Sequence, residues 1–395
     1  MTNQAKLRAV PVDDRAWLLA ALGDALKGGA PVLPVATGLD EAEVQRLQAL
    51  ELPESTAVLV RTSGSSGVPK AVALSAEALQ ASAAATHERL GGEGQWLVTL
   101  PANLISGLQM LVRSQVSGID PVFFDAPFEP HAFLEAAKRL DHERRYVSLV
   151  PVQLIRLLDH AEQNEEAAEI LRSFSAILVG GQAVSLSLRQ RAHELGIELR
   201  RSYGMTETAG GCVYDGVEIG ETRMRIRGGE VQLAGESLAL GYVGDDALTA
   251  DRFITEEGVR WYRTGDAGEL LGGMLTVTGR LDRVLISGGI NVSLDEVERV
   301  ARELPGFDSA VALAVEDEDW GERVLLVTER VSADAGADDA YAAADDENLD
   351  QAVSHALRAQ IGVAAVPVAI HRVEKMPRLA GGKPDIEELK RKFAH

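Results

Sequence analysis

The feature that most constrains the fold is an alternation of short apolar runs with Ala- and Leu-rich stretches over the first two thirds of the chain. The apolar runs are typical of buried strands and the longer stretches of helices. The strand-like runs are 57–61, 71–75, 95–100, 121–124, 145–150 and 176–180, and the helix-like stretches are 76–90, 134–140, 152–163 and 188–195. Strands that alternate with helices form βαβ units, so a mainly parallel sheet is expected. Short strands with Gly turns follow residue 215 and predict a small β subdomain.

The pattern changes again after residue 282. Ser293 and Glu296 have the spacing of a capping box, which predicts the start of an amphipathic helix. Strand-like runs follow at 309–315, 323–330 and 366–372. A compact α+β domain of about 110 residues is therefore expected at the C-terminus.

The expected fold class is α/β, with a large N-terminal domain of parallel and mixed sheets layered with helices over residues 1–281. Its β subdomain precedes the small C-terminal domain, residues 282–395. The segment 333–350 is rich in Ala and Asp, and its first part is predicted to be a solvated loop because it cannot bury an apolar face.

Charge and cysteine content exclude several classes of protein. The 395 residues include 39 Lys and Arg against 60 Asp and Glu, a net charge of −21, which disfavours binding to nucleic acid or an anionic membrane. The single cysteine, Cys212, forbids an internal disulfide and fits a reducing compartment. Neither a signal peptide nor an apolar run of membrane-spanning length is found, so a cytoplasmic location is expected.

A small-residue loop, TSGSSGVPK at 62–70, follows the first strong strand pattern. Its hydroxyl groups and backbone N–H groups could surround phosphate oxygens, with Lys70 as a nearby cation. It differs from a Walker A loop, since Ala71 follows Lys70 where that motif has Ser or Thr. Taken alone, phosphate binding and a plain turn are equally good interpretations.

A second polar segment, RSYGMTET at 201–208, follows another strand pattern. Tyr203 could stack on a planar base, and Thr206 with Glu207 could hold a phosphate oxygen and Mg²⁺. The Gly-rich residues 180–183 end the preceding strand and could let a ligand lie against the backbone. An incidental Gly turn remains the alternative.

Three further segments are individually weak. YRTGD at 262–266 offers Asp266 to accept hydrogen bonds from ribose hydroxyls. GRLDR at 279–283, continuing to SGGIN, lies where the composition changes and a hinge is expected. PRLAGGKPD at 377–385 places Lys383 after a flexible Gly pair.

The order of these five motifs is far more specific than any one of them, and it resembles the adenylate-forming acyl- and aryl-CoA synthetases over residues 55–390. The resemblance implies activation of a carboxylate with MgATP to an acyl-adenylate and pyrophosphate, then transfer to a thiol such as coenzyme A. It implies catalytic roles for Lys383, Thr206 and Glu207, with Glu207 as the Mg²⁺ ligand. The implied ATP- and AMP-binding residues are Thr62, Ser63, Gly64, Ser65, Ser66, Gly67, Lys70, Gly181, Gln182, Ser202, Tyr203, Gly204, Met205, Thr206, Asp266 and Arg280. The small domain would be mobile about the hinge Asp282, bringing Ser287, Gly288 and Gly289 to the coenzyme A tunnel.

Within the family the chain is most similar to the compact actinobacterial o-succinylbenzoate–CoA ligases of menaquinone biosynthesis. The resemblance rests on residues 100–114, LPANLISGLQMLVRS, although Leu104 stands where relatives usually have His. It implies that Ser106, Gly107 and Gly180 contact the acid. Arg113 is the candidate partner for a second carboxylate.

Other functions stay open at this point. The acid could differ, the acyl acceptor could be a carrier protein, or the chain could bind a nucleotide without catalysis. Small-molecule substrates, no nucleic acid and no membrane span are expected, and since relatives are often dimers a homodimer fits the resemblance.

Overall fold

The strands belong to four sheets in a computed structural model that describes residues 6–62, 70–330, 346–379 and 381–394. In chain order they are β1 Arg8–Pro11, β2 Val32–Val35, β3 Thr56–Thr62, β4 Lys70–Ser75, β5 Gln95–Val98, β6 Val122–Phe123, β7 Arg145–Leu149, β8 Ala176–Gly180, β9 Leu199–Met205, β10 Gly210–Tyr214, β11 Val217–Glu218, β12 Arg223–Arg227, β13 Glu230–Ala234, β14 Gly241–Tyr242, β15 Phe253–Glu256, β16 Val259–Leu271, β17 Met274–Arg280, β18 Val284–Ser287, β19 Ile290–Ser293, β20 Val311–Asp317, β21 Gly321–Glu329 and β22 Ala369–Val373.

Several helices begin at side chains that accept a backbone N–H, including Ser75, Ser185, Ser293 and Asp385. The helices are α1 Arg15–Ala25, α2 Glu41–Gln48, α3 Ala76–Arg89, α4 Ile105–Ser117, α5 Pro130–Ala137, α6 Pro151–Ala161, α7 Glu165–Arg172, α8 Leu186–Glu194, α9 Asp246–Arg252, α10 Leu294–Arg302, α11 Asp346–Gln360 and α12 Ile386–Phe393, with 3₁₀ turns at Thr206–Thr208 and Val363–Ala365. None of the described helices is both long and apolar enough to cross a membrane.

The two large sheets confirm the expected parallel and mixed architecture. The seven-stranded sheet has the order β11-β10-β9-β8-β7-β5-β6 and is parallel from β6 to β9. The five-stranded sheet has the order β1-β2-β3-β4-β14, in which β4 and β14 are antiparallel to their neighbours. The carboxyl ends of β8 and β9 lie side by side, with Gly180 opposite Ser202. In α/β folds this edge is where ligands bind.

Packing explains the layers. Helices α3 and α4 lie between the two large sheets, and their apolar side chains share one core with both. Helices α5 to α8 cover the other face of the seven-stranded sheet. Because α4 is enclosed on both sides, even its polar residues Gln109, Arg113 and Ser114 are buried.

The rest of the chain forms two smaller sheets, confirming the β subdomain and the α+β domain. The first has the order β12-β13-β16-β15, with β17 on β16, and the second β19-β18-β21-β20, with β22 on β21. Helices α10 and α11 pack on one face of the second sheet and α12 on the other. Residues 346–350, the end of the acidic segment, begin α11, and the predicted loop before them lies outside the described residues. The division at residues 281 and 282 stays a proposal.

Candidate active site

The phosphate-binding prediction falls on a hairpin whose tip lies outside the described residues. Thr62 and Lys70 are the last paired residues of β3 and β4, facing each other across the strands. Ser63, Gly64, Ser65, Ser66 and Gly67 are not among the residues described. The Lys70 ammonium lies 5.7 Å from the centre of the Tyr242 ring, a cation–π contact that holds it beside the turn carrying Glu207.

The Gly-rich segment after β8 and the segment ending β9 form one edge. Gly181 follows Gly180 with φ +81°, a conformation that favours glycine, and leaves the backbone open to its surroundings. Gln182 follows it at intermediate exposure. On the neighbouring strand, Ser202 lies opposite Gly180. The two segments predicted to bind the nucleotide therefore meet.

The turn after β9 is fixed by Thr208. Its hydroxyl accepts the Met205 N–H at 3.0 Å and donates to the Gly210 carbonyl at 2.7 Å. Gly204 lies opposite Gly211 on β10, so close that a Cβ atom on Gly204 would overlap the Gly210 carbonyl oxygen. Only glycine fits here without moving the backbone that carries Thr206 and Glu207.

We expect Gly204→Ala to lower the free energy of unfolding by about 2–3 kcal/mol, because a methyl group is forced onto a backbone oxygen. Thermal unfolding measures the loss. Gly258→Ala is the control, because Gly258 has φ +76° and nothing within 4 Å of its added Cβ, so it carries backbone strain alone. Equal melting temperatures for the two variants would contradict the overlap.

Glu207 is held by a partner that the sequence did not indicate. Its backbone carbonyl accepts the Ala239 N–H at 2.8 Å, and its Oε1 accepts the Tyr242 hydroxyl at 2.8 Å. Burial, and then the Glu207 charge, raise the pKa of Tyr242, so this hydroxyl remains a donor. Thr206 precedes it in the same 3₁₀ turn and is likewise nearly buried.

Asp266, which is predicted to bind the ribose, contacts two other residues predicted to bind the nucleotide. Its Oδ2 accepts the Tyr203 hydroxyl at 2.6 Å and its Oδ1 pairs with Arg280 Nη1 at 3.0 Å. Burial raises the pKa of Asp266, although both partners oppose that shift. The Arg280 Nε and Nη2 atoms also donate to the two oxygens of Asp282, at 2.8 and 3.0 Å. One guanidinium thus links the candidate ribose carboxylate to the predicted hinge.

Lys383 reaches this group from the small domain. A Cβ atom on Gly181 would lie 3.7 Å from Lys383 Cε, which places the lysine at the end of β8. Lys383 remains exposed to solvent on one side. Partial desolvation by the surrounding atoms lowers its pKa, and the carboxylates of Asp266 and Glu207 oppose that shift. The structure therefore brings together residues that lie up to 202 positions apart in the sequence, 181 to 383.

The loop that carries Lys383 packs on two side chains of the large domain. A Cβ atom on Gly382 would lie 3.1 Å from Val150 Cγ2, and one on Gly381 would lie 3.1 Å from Leu104 Cδ1. In the sequence Leu104 is recognisable only as a departure from relatives, and Val150 carries no signal of this contact. Both form apolar contacts between segments that are distant in the sequence, and no local pattern indicates such contacts.

The predicted acid-binding residues lie along α4. Ser106 is exposed in the first turn, and Gly107 packs so tightly on the Pro101 carbonyl that a Cβ atom would overlap it. Arg113 is 3% exposed, its guanidinium 4.6 Å from the centre of the Trp96 ring, and Nη2 lies 3.4 Å from the Tyr214 hydroxyl. Among the described residues no carboxylate pairs with Arg113, and its buried Nε has no acceptor.

The predicted coenzyme A loop is the turn between β18 and β19. The Gly288 N–H donates to the Trp320 carbonyl at 2.9 Å, Gly289 completes the turn, and the Ser287 side chain is buried. Its described contacts are within the small domain, so this structure does not bring the turn to the Lys383 group.

The donor set fits one Mg²⁺ ion shared with a nucleotide. Among the described residues no group of three or more His, Cys, Asp or Glu side chains could enclose a metal. Glu207 supplies a single carboxylate, and only its Oε1 has a described hydrogen bond. Mg²⁺ is commonly held in this way, by one or two carboxylates together with phosphate oxygens and water.

Comparison with known proteins identifies the class. The AMP-binding enzyme profile matches residues 30–231. The chain belongs to this family of adenylate-forming enzymes, and the expected fold class and resemblance are confirmed. This membership supports one enzyme class, an AMP-forming acid–thiol ligase that uses ATP, Mg²⁺ and coenzyme A.

The relatives narrow the class further. A probable 2-succinylbenzoate–CoA ligase of Mycobacterium tuberculosis is 36% identical over 386 residues, 96% of each chain. The 2-succinylbenzoate–CoA ligase of Salmonella typhimurium is 32% identical over 75% of this chain and 64% of its own. Among solved structures, a variant of Escherichia coli MenE with bound OSB-AMS has a TM-score of 0.75 at 24% identity, covering 99% of this chain and 88% of its own. That last likeness supports the fold alone.

Proposed function

We propose that the protein is a 2-succinylbenzoate–CoA ligase, which adenylates this acid with ATP and transfers the acyl group to coenzyme A. The observation that carries the adenylation step is the convergence of Lys383 with Asp266 and Glu207 at the end of β8. The acid is proposed from the relative that matches 96% of both chains.

The adenylation step follows from charge. When the acid's carboxylate attacks the α-phosphorus of ATP, negative charge accumulates on the phosphoryl oxygens, and fixed cations lower the energy of that state. Lys383 would bridge the carboxylate and the α-phosphate, where its positive charge would offset the negative charge of both groups. Bound Mg²⁺ would neutralise phosphate charge, held by Glu207. Pyrophosphate leaves as the acyl–phosphate bond forms.

The nucleotide would be positioned by three groups. Asp266 would accept hydrogen bonds from the ribose hydroxyls, with Arg280 and Tyr203 fixing its two oxygens. Gly181 and Gln182 would line the adenine, together with the backbone of Ser202, Gly204 and Met205. Thr206 would contact the α-phosphate, and Lys70 with residues 62–67 would surround the β- and γ-phosphates.

For the second step we propose movement of the small domain about Asp282, which withdraws Lys383 and brings the turn with Ser287, Gly288 and Gly289 to the thiol. Movement of whole domains between half-reactions is a common enzyme device.

A cytoplasmic location is proposed with this function, because coenzyme A and ATP are cytoplasmic substrates and Cys212 is a free, buried thiol. A homodimer stays a prediction.

Arg113 is proposed as the partner of the acid's second carboxylate. A buried guanidinium without a carboxylate is costly, and an anionic ligand would compensate it. Ser106, Gly107 and Gly180 would line the path to it. The Ile105 to Arg113 segment of α4 is about 12 Å long, so the acid would extend along the helix from the reacting centre.

Pyrophosphate release across a panel of acids tests the proposal. With MgATP and coenzyme A, we expect turnover of 2-succinylbenzoate and a coenzyme A thioester seen by mass spectrometry, with little turnover of benzoate, 4-chlorobenzoate, a medium-chain fatty acid or amino acids. Turnover of another acid would reject the substrate. Pyrophosphate release without a thioester would reject coenzyme A as acceptor.

Arg113→Ala tests the second carboxylate. We expect KM for 2-succinylbenzoate to rise about tenfold or more, the value of a charge-assisted hydrogen bond, with a much smaller rise for a monocarboxylate that is turned over. Arg113→Lys keeps the charge and should restore part of the loss. Equal increases for both acids in Arg113→Ala would contradict a role in binding the dicarboxylate.

A further inference from the structure

A polar cavity outside the candidate active site lies between α8 and the start of β9. It has a volume of about 270 Å³, and the polar residues of its lining are Arg189, His193, Glu198, Arg200, Arg201 and Asp215. Ligand pockets for whole small molecules usually measure about 300–1,000 Å³. This cavity is therefore suited to one chemical group of a ligand.

The charges of the lining do not cancel. Asp215 Oδ1 accepts both the backbone N–H and the Nε of Arg201, at 3.0 and 3.3 Å. Glu198 accepts Arg200 Nη2 at 3.1 Å. Both carboxylates are thus engaged by one arginine each, and a third arginine lies in the same cavity. This positive excess occurs on a chain with a net charge of −21.

Arg189 is the third arginine of the cavity lining. Among the described residues the only hydrogen bond of its side chain is from Nε to the Ser185 carbonyl, at a long 3.4 Å. Burial, and next the charge of Arg201, lower the pKa of Arg189, and both arginines line the same cavity. Glu303, on the small domain, partly opposes that effect. Two arginines that line one concavity offer guanidinium donors suited to the oxygens of a phosphate group.

We propose that this cavity binds the phosphate group of a phosphorylated ligand through Arg189 and Arg201. The site is separate from that proposed for the ATP phosphates. Arg201 lies four strand residues, about 13 Å, before Met205, the residue next to Thr206. It is nevertheless connected to the nucleotide, since Arg201 directly precedes Ser202 on β9.

Two ligands could supply this chemistry. One is the 3′-phosphate of coenzyme A, which rests on the proposed function, and the other is a free phosphate ion, which does not. Because both are dianionic, the test separates them by measuring binding and turnover independently.

The binding test is calorimetric titration of inorganic phosphate and of adenosine 3′,5′-bisphosphate, with AMP saturating so that the catalytic nucleotide site is filled. We expect Arg189→Gln to weaken binding of at least one probe about tenfold, the value of one charge-assisted contact. Arg299→Gln is the control, because Arg299 is exposed on α10 with only a 3.9 Å ion pair. Arg201→Lys, which keeps a cation beside Asp215, should weaken binding less.

The turnover test compares KM for coenzyme A and for 3′-dephospho-coenzyme A. If the coenzyme supplies the phosphate, the wild-type enzyme prefers coenzyme A, and Arg189→Gln abolishes that preference. If free phosphate is the ligand, the calorimetric loss occurs and the KM ratio does not change. Equal probe affinity in wild type and Arg189→Gln, or no binding by wild type at millimolar concentrations, would overturn the site. Calorimetry needs no acid, so failure of the substrate proposal would be recognised separately.

Discussion

Lys383→Ala is expected to lower pyrophosphate release from ATP and the acid by roughly 10²- to 10³-fold, the usual loss when one preorganised charge at a reacting centre is removed. Nucleotide affinity should change little, because Asp266, Tyr203 and Arg280 still hold one another. Initial rates of pyrophosphate release and calorimetric binding of AMP give the two measurements.

Lys375→Ala is the matched control for that variant, since Lys375 is an exposed lysine eight residues earlier on the same domain. It should leave both quantities unchanged. A binding protein without catalysis would respond to neither variant. A Lys383→Ala enzyme with a normal rate would mean that the adenylation geometry proposed above is wrong.

Glu207→Gln is expected to lower the adenylation rate about 100-fold and to raise the Mg²⁺ concentration needed for half-maximal rate. The substitution keeps the shape of the side chain and its contact with the Tyr242 hydroxyl while removing the charge that would hold the metal. A magnesium titration of the initial rate measures both effects.

Two further variants separate the effect of the Glu207 charge from the effect of its hydrogen bond with Tyr242. Glu218→Gln alters an exposed carboxylate on β11 and should have no effect. Tyr242→Phe removes the hydrogen bond to Glu207 but not its charge, so a decrease of about tenfold is expected. If Tyr242→Phe were as damaging as Glu207→Gln, the carboxylate would be acting mainly through its hydrogen bond.

From residue 57 onward the sequence predicted much of the strand and helix order, because many of these elements show their own hydrophobic period. The run 71–75, for example, reads as a buried strand and forms most of β4. The helix expected over 76–90 is α3, Ala76–Arg89, which the side chain of Ser75 caps. Such local signals depend on neighbouring residues alone, and the tertiary contacts agree with them.

The pairs that build the site were beyond local signals. Tyr203 and Asp266 are 63 residues apart, and Tyr242 and Glu207 are 35 apart. Motif order named three of these four residues. It could not name Tyr242, because a single Tyr in a two-residue strand between glycines has no distinguishing pattern. The packing of Val150 beneath Gly382 depends likewise on how two domains meet.

The shared guanidinium of Arg280 has a thermodynamic consequence. Since it binds Asp266 and Asp282 at once, the proposed contact of Asp266 with the ribose would depend on the arrangement at the proposed domain boundary. Linkage is reciprocal, so any factor by which the nucleotide favours the engaged position of the small domain is also the factor by which that position tightens the nucleotide. AMP release and exposure of Lys383 would then be one coupled equilibrium, and weakening either interaction would shift both.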